Sequence, residues 1–162
     1  MSTIVLVSGG FDPLHKGHLN LLQEARKLGD HLSVGLNSDE WLTRKKGSPF
    51  MSAFDRMDIL MNLECVDHVV PFNDDDDTAK DFIERAIASH GIDHKFIFAN
   101  GGDRTEENIP EMELREKFSM AHLEFVFGVG GDKTYSSSSV NNVERAWGDY
   151  KVIHAEQTAK VK

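Results

Sequence analysis

Residues 9–18, Gly-Gly-Phe-Asp-Pro-Leu-His-Lys-Gly-His, follow a β-branched apolar run at Ile4–Ser8 and lead into residues with helical spacing. Gly9 and Gly10 let backbone approach a ligand closely, and Gly17 does so again where the helix starts. Unpaired N–H groups at such a start favour phosphate. His15 and His18 are three apart and share one face. The segment lacks a Gly-Lys-Ser/Thr phosphate loop and a His-Glu-x-x-His zinc motif. Its spacing points to a phosphate site whose chemistry is supplied by imidazoles; the plainer reading of the pair is a solvated or capping helix start.

Three further clusters carry chemistry. Arg44-Lys45-Lys46-Gly47, with Arg56 beyond it, concentrates cations in an acidic chain, and a mobile loop there would close over a triphosphate. Ala99-Asn100-Gly101-Gly102-Asp103-Arg104 exposes backbone and offers Asp103 and Arg104 to ribose, base or phosphate, unless it is a plain surface turn. Residues 128–139, with Gly128, Gly130, Lys133 and the hydroxyls of Ser136 to Ser139, run into a final helix whose start both caps and binds phosphate. Gly128-x-Gly130 alone is a poor dinucleotide fingerprint. Asp74 to Asp77 reads as a solvated helix entry rather than a calcium loop, and Cys65 as a small core residue. Phe11, Phe96, Phe98, Phe125 and Phe127 read as strand-borne core, while Trp41 or Trp147 would border a base.

The elements that must position these clusters follow from periodicity. Strands are expected at Ile4–Ser8, His31–Asn37, Val66–Phe72, Lys95–Ala99 and Leu123–Val129. Helices are expected over 19–28 closed by Gly29, over 53–64 capped by Ser52, from a Thr78 cap through His90 to Gly91, over 110–119, and over 137–147. Alternation of this kind predicts an α/β, Rossmann-like open parallel sheet of about five strands with helices on both faces. Ligands of such sheets sit beyond the carboxyl ends of the strands, and the loops after the first, second, fourth and fifth strands hold the four clusters.

Phe11-Asp12-x-x-His15-x-Gly17-His18 at the end of the first strand resembles the His-x-Gly-His signature of the cytidylyltransferase-like nucleotidyltransferases, over roughly residues 4–140. Glycerol-3-phosphate cytidylyltransferases and heptose-phosphate adenylyltransferases are the two branches it looks most like. Compact size and the ungapped Lys45 suit the first; Asn37-Ser38-Asp39, Val66–Val70 and Gly101-Gly102-Asp103 lean to the second.

The resemblance implies transfer of a nucleoside monophosphate, from CTP in the favoured reading or from ATP, to a small phosphorylated alcohol or sugar, with release of pyrophosphate. It implies His15, His18 and Lys45 as catalytic residues. Nucleotide would lie on Gly9, Gly10, Phe11, Asp12, His15, Gly17, His18, Lys46, Gly102, Asp103, Arg104, Lys133, Ser137, Ser138 and Ser139, and acceptor on Asp12, Lys45 and Arg56. The branches differ on whether Lys45 or Lys46 takes the phosphates. Lys133 stands where the cytidylyl pattern has arginine and Tyr135 near its glycine, which leaves base and serine register open. Mg²⁺ would arrive with the nucleoside triphosphate, with no ion held by the protein alone. A homodimer is implied too. A non-catalytic nucleotide-binding module and a dinucleotide-dependent oxidoreductase are the contrasting readings.

The chain has 162 residues, and Lys+Arg 18 against Asp+Glu 27 leaves a formal charge of −9. That balance disfavours nucleic acid as a partner. One cysteine excludes an intrachain disulfide and fits a reducing compartment. No apolar run approaches the roughly 20 residues of a membrane span, and Met1–Ser8 lacks the flank of a signal peptide. The expectation is a cytoplasmic protein with one nucleotidyltransferase domain over 1–150 and a C-terminal tail over 151–162, partnered by a nucleoside triphosphate and a small phosphorylated acceptor, without membrane or nucleic acid.

Overall fold

The computed structural model describes residues 1–131. Its elements are β1 (Thr3–Gly9), α1 (Lys16–Arg26), β2 (His31–Leu36), α2 (Asp39–Lys46), α3 (Ala53–Met61), β3 (His68–Pro71), α4 (Lys80–His90), β4 (Lys95–Ala99), α5 (Leu114–Lys117) and β5 (Leu123–Val126), with 3₁₀ turns at Pro110–Glu113 and Ser119–Ala121. The strands form one sheet in the order β3-β2-β1-β4-β5. Every pairing is parallel, from Ile4 opposite His31 on one side of β1 to Thr3 opposite Lys95 on the other. The sheet is the expected α/β Rossmann-like one.

Strand alternation divides the core between the two sheet faces. Val5 and Val7 of β1 and Ile97 and Ala99 of β4 pack with Leu22 and Ala25 of α1 and Leu60 of α3. Ile4, Leu6, Phe96 and Phe98 point the other way, onto Phe82, Ile83, Ala86 and Ile87 of α4 and onto Leu114. Helices therefore cover both faces. Fully burying each Val, Leu, Ile or Phe among these is worth roughly 1.5–3 kcal/mol. β1, β2 and β4 are each paired on both edges, and the site lies at their carboxyl ends.

Several expectations are corrected. α1 ends at Arg26 with Lys27 as C-cap, so Gly29 is no helix terminator. It is needed for close approach: a Cβ there would lie 2.8 Å from the Thr3 carbonyl oxygen. The α4 N-cap is Ala79 rather than Thr78; its N–H goes to the buried Glu111 carboxylate at 2.8 Å. Phe11 is buried but lies in the loop after β1, at φ 51°. The expected helix over 137–147, the 150/151 boundary and the tail over 151–162 lie outside the described residues.

The largest departure is α2. Residues 44–46 form the last turn of a helix, not a mobile loop. Ser38 caps it, its Oγ accepting from the Trp41 N–H at 3.0 Å, and Gly47 ends it at φ 93°. Asp39 and Glu40 in the first turn and three cations in the last both complement the helix dipole. Asp74 is likewise no solvated entry residue: at 2% exposure it accepts from Asn37 Nδ2, Ser38 N and Ser38 Oγ at 2.7–3.0 Å, which pins the β2–α2 junction.

Candidate active site

The ends of β1, β2, β4 and β5 converge on a cleft of about 530 Å³. Its floor is Val7 to Gly10; one wall is the start of α1, another is α2, and Ala99 to Arg104 and Val129 to Gly131 close the rest. Among the residues expected to act, Gly9, Gly10, Phe11, Asp12, His15, Gly17, His18, Lys45, Lys46, Gly102, Asp103 and Arg104 all line it. Lys133, Ser137, Ser138 and Ser139 lie outside the described residues.

His15 is the N-cap of α1. Its Nδ1 accepts the N–H groups of Gly17 at 3.1 Å and His18 at 3.4 Å, while His18 Nδ1 accepts the His15 N–H at 3.3 Å. This is a capping box built from two imidazoles. A nitrogen that accepts carries no proton, so, assigned from these hydrogen bonds, each ring has its proton on Nε2. Capping and donation are thus not alternatives, because they use opposite nitrogens of the same ring. The rings stack with centroids 3.7 Å apart, and Phe11 meets His18 edge-on at 5.0 Å. Gly17 suits this packing, since a Cβ there would sit a tight 3.0 Å from the His15 ring.

Asp12 is 1% exposed. Its carboxylate accepts the Phe50 and Met51 N–H groups at 2.6 and 2.7 Å and pairs with Lys46 Nζ at 2.6 Å. Burial pushes the Asp12 carboxyl upward, but the Lys46 hydrogen bond, the two amides and the lysine charge outweigh it and hold the group below its usual range. Lys46 also donates to the Asp12 carbonyl at 2.7 Å. Lys45 Nζ lies 4.6 Å from the centroid of the Trp41 ring. Arg44 pairs with Asp77 at 3.1 Å and donates to the Asp74 carbonyl at 2.8 Å. The basic run is therefore partly neutralised from within.

Arg56 does not stand where an acceptor-binding residue should. It is 1% exposed and does not line the cleft. Its guanidinium donates to the carbonyls of Met51 at 3.1 Å and of Gly10 and Asn37 at 2.8 Å, and to Asp39 Oδ1 at 2.7 Å. It ties the β1 loop, the end of β2, the start of α2 and the segment before α3 together, beneath the site rather than in it.

Asn20, Leu21 and Leu42 line the cleft without having been expected there, and Asn100, part of an expected cluster, lines it without having been given a role. Asn37 and Asn100 are each the first residue past a strand's carboxyl end, which was the available signal. Asn100 continues the ladder, its N–H going to Val126 at 2.8 Å and its carbonyl accepting from Val129 at 3.0 Å. Among the described residues, no cluster of three or more His, Cys, Asp or Glu is placed to hold a metal ion, and no helix is long and apolar enough to cross a membrane.

The chain is similar in sequence and in fold to known proteins. The chain is 40% identical over 144 residues to the Bifunctional protein HldE of Pelobacter propionicus, covering 88% of this chain and 26% of that protein. It is 37% identical over 151 residues to the HldE of Syntrophotalea carbinolica, covering 92% and 28% respectively. The chain thus spans about a quarter of the length of these relatives. Among solved structures, a lipopolysaccharide core biosynthesis protein from Thermoplasma volcanium superposes with a TM-score of 0.59 at 23% identity, over 84% of this chain and 100% of that one. That likeness, like one to a putative nicotinate-nucleotide adenylyltransferase from Vibrio parahaemolyticus (TM-score 0.58, 12% identity, 88% and 86% covered), concerns the fold. The cytidylyltransferase-like family profile matches residues 6–158, from within β1 across all the cleft-lining segments, and the chain belongs to the cytidylyltransferase-like family.

Proposed function

We propose that the chain is a nucleotidyltransferase that moves a nucleoside monophosphate from a nucleoside triphosphate to a small phosphorylated acceptor. The carrying observation is the convergence on one cleft of two imidazoles with Nε2 protons, the cationic last turn of α2 and the Gly-Gly-Asp-Arg loop. Within this reaction class, adenylyl transfer to a heptose phosphate is the reading better supported than cytidylyl transfer to glycerol 3-phosphate, because the HldE relatives match the chain at 34–40% identity over 88–92% of its length. Those relatives are bifunctional and far longer, so the proposal concerns the stretch they share with this chain.

In the proposed reaction a phosphate oxygen of the acceptor forms a bond to the α-phosphorus of the nucleotide. The bond from that phosphorus to the α–β bridging oxygen breaks, and pyrophosphate leaves with the electron pair. An ionised phosphate monoester is already a nucleophile, so no strong general base is required. The protein's part is positioning and charge stabilisation. Nε2–H of His15 and His18 would donate to phosphate oxygens, held in place by a cap that fixes both rings. Lys45 on α2, with Arg104 opposite, would offset the charge of the polyphosphate, and Lys46, paired with Asp12, would add an N–H donor rather than a net charge. Asp12 would keep Lys46 in the cleft. Mg²⁺ would enter as part of the nucleotide substrate. A homodimer in the cytoplasm belongs to the same proposal on the strength of the family resemblance.

Pyrophosphate release, measured with each of the four triphosphates against heptose phosphate, glycerol 3-phosphate and other phosphorylated acceptors, tests it. ATP with a heptose phosphate is expected to turn over. CTP with glycerol 3-phosphate as the productive pair would restore the cytidylyl reading. Nucleotide binding with no pyrophosphate from any pair would make the chain a binding module.

A further inference from the structure

The chain beyond β4 is exposed from Gly102 to Asn108 and turns inward at Ile109, which is buried in the core with Phe82 and Leu114. Asn108 stands at that boundary, and its side-chain amide works in both directions. Nδ2 donates to the Asp103 carbonyl at 2.9 Å, and Oδ1 accepts the Thr105 N–H at 2.7 Å. Its backbone N–H goes to the Thr105 carbonyl at 3.2 Å, and the Thr105 hydroxyl accepts the Glu107 N–H at 3.3 Å. Just beyond, Ile109 is extended ahead of Pro110, and the buried Glu111 carboxylate accepts the Ala79 N–H at 2.8 Å. The amide is thus carried by a segment anchored in the core.

The two side-chain contacts bracket one residue. The Asp103 carbonyl and the Thr105 N–H belong to the two peptide planes that meet at the Arg104 Cα. Each plane is rigid and only φ and ψ are soft, so holding both planes fixes the direction in which the Arg104 side chain leaves the backbone. Arg104 lines the cleft and Asn108 does not.

We propose that Asn108 is a positioning residue, clamping the backbone on either side of Arg104 so that its guanidinium is presented to the nucleotide polyphosphate. This rests on the nucleotidyl-transfer reading of the cleft. An exposed loop otherwise samples several backbone wells, and settling one before the ligand arrives removes that cost from binding. The clamp needs a donor and an acceptor on one short side chain. Aspartate lacks the donor, and alanine has neither.

Steady-state pyrophosphate release, with both substrates varied, compares N108A, R104M and N108A/R104M. Asn108 is exposed, so N108A is expected to keep the fold. It should raise the nucleotide KM about three- to tenfold, the range of a neutral hydrogen bond, with kcat moving far less. R104M should raise the same KM about tenfold or more, the effect of losing a charged hydrogen bond. N108A/R104M should match R104M, because the clamp then has nothing to present. An unchanged nucleotide KM in N108A or in R104M overturns the proposal, as does an N108A effect that falls on the acceptor KM or persists in full in the R104M background.

If the wild type releases no pyrophosphate, the reaction assignment fails, and the clamp is read by binding and by amide exchange. In calorimetric titration with inorganic pyrophosphate, N108A should bind about three- to tenfold more weakly than wild type, and N108A/R104M no more weakly than R104M. The Thr105 amide should exchange faster in N108A and at the wild-type rate in R104M. A wild type that binds no pyrophosphate, an N108A that binds it equally well, or an unchanged Thr105 exchange rate in N108A overturns the proposal independently of catalysis.

Discussion

Two corners of the cleft use their polar residues in opposite ways. At the β1–α1 corner, backbone N–H groups consume Nδ1 of both histidines, and the scaffold's demand leaves each Nε2 as the protonated nitrogen. At the β2–α2 corner the scaffold takes the charges themselves: Arg56 is absorbed by three carbonyls and Asp39, Arg44 by Asp77, and Lys46 by Asp12. A histidine has two nitrogens and can cap and donate at once, whereas a guanidinium buried among acceptors has little left to give. A cluster of cations in sequence therefore overstates the charge that reaches a ligand.

The sharpest way to break this contrast is to remove one residue from each corner and read both activity and stability. Removing a preorganised donor costs about 2.7–4 kcal/mol of transition-state stabilisation, so H18A should lower turnover about 10²–10³-fold. Its nucleotide binding should change less, and its stability by no more than the roughly 1 kcal/mol of a cap. Wild-type turnover in H18A would remove the distinction. R56M should behave in the reverse sense. The buried carbonyl of Asn37 and the part-buried carbonyl of Gly10 lose their donor, at about 1–3 kcal/mol for each, while Asp39, 39% exposed, regains water and adds little. An unfolding free energy lowered by about 3 kcal/mol in all, read from urea titration, is expected, and an unchanged unfolding free energy with a raised acceptor KM would return Arg56 to substrate binding.

The smallest effect sharpens the role of Asp12. Its folded pKa is depressed below 3.8, so the folded state holds the carboxylate charged more readily than the unfolded chain does. That contribution is complete above 3.8 and is lost as pH falls through the folded value. The difference in Tm between wild type and D12N should therefore shrink as pH drops below 3.8, and a difference that stays constant into strong acid would show that the Lys46 pair does not supply it.

Much of the fold was legible because parallel strands buried on both faces read as continuous apolar runs, and their alternation with helical spacing allows few topologies. β1, β2 and β4 fall within about a residue of expectation. The helix α2 was missed although Ser38-Asp39-Glu40 and Gly47 mark its two ends, because only Leu42 of its eight residues is buried and no apolar periodicity announces it. Asp74 was misread for a related reason. Four consecutive aspartates look solvated, and only the fold brings one of them under the end of β2, where three donors await it.

The sequence by itself determined the parallel sheet, the edge at which ligands are to be sought, and the types of residue gathered there. Those depend on periodicity and on strand–loop–helix punctuation, which are local. Which cations face the cleft, and which nitrogen of each histidine does so, was decided by tertiary structure alone. Both depend on partners far away in the chain: Asp12 reaches Lys46 across 34 residues, and Arg56 reaches Gly10 across 46. A charge is available to a ligand only when no such partner has claimed it, and no local pattern of residues records that.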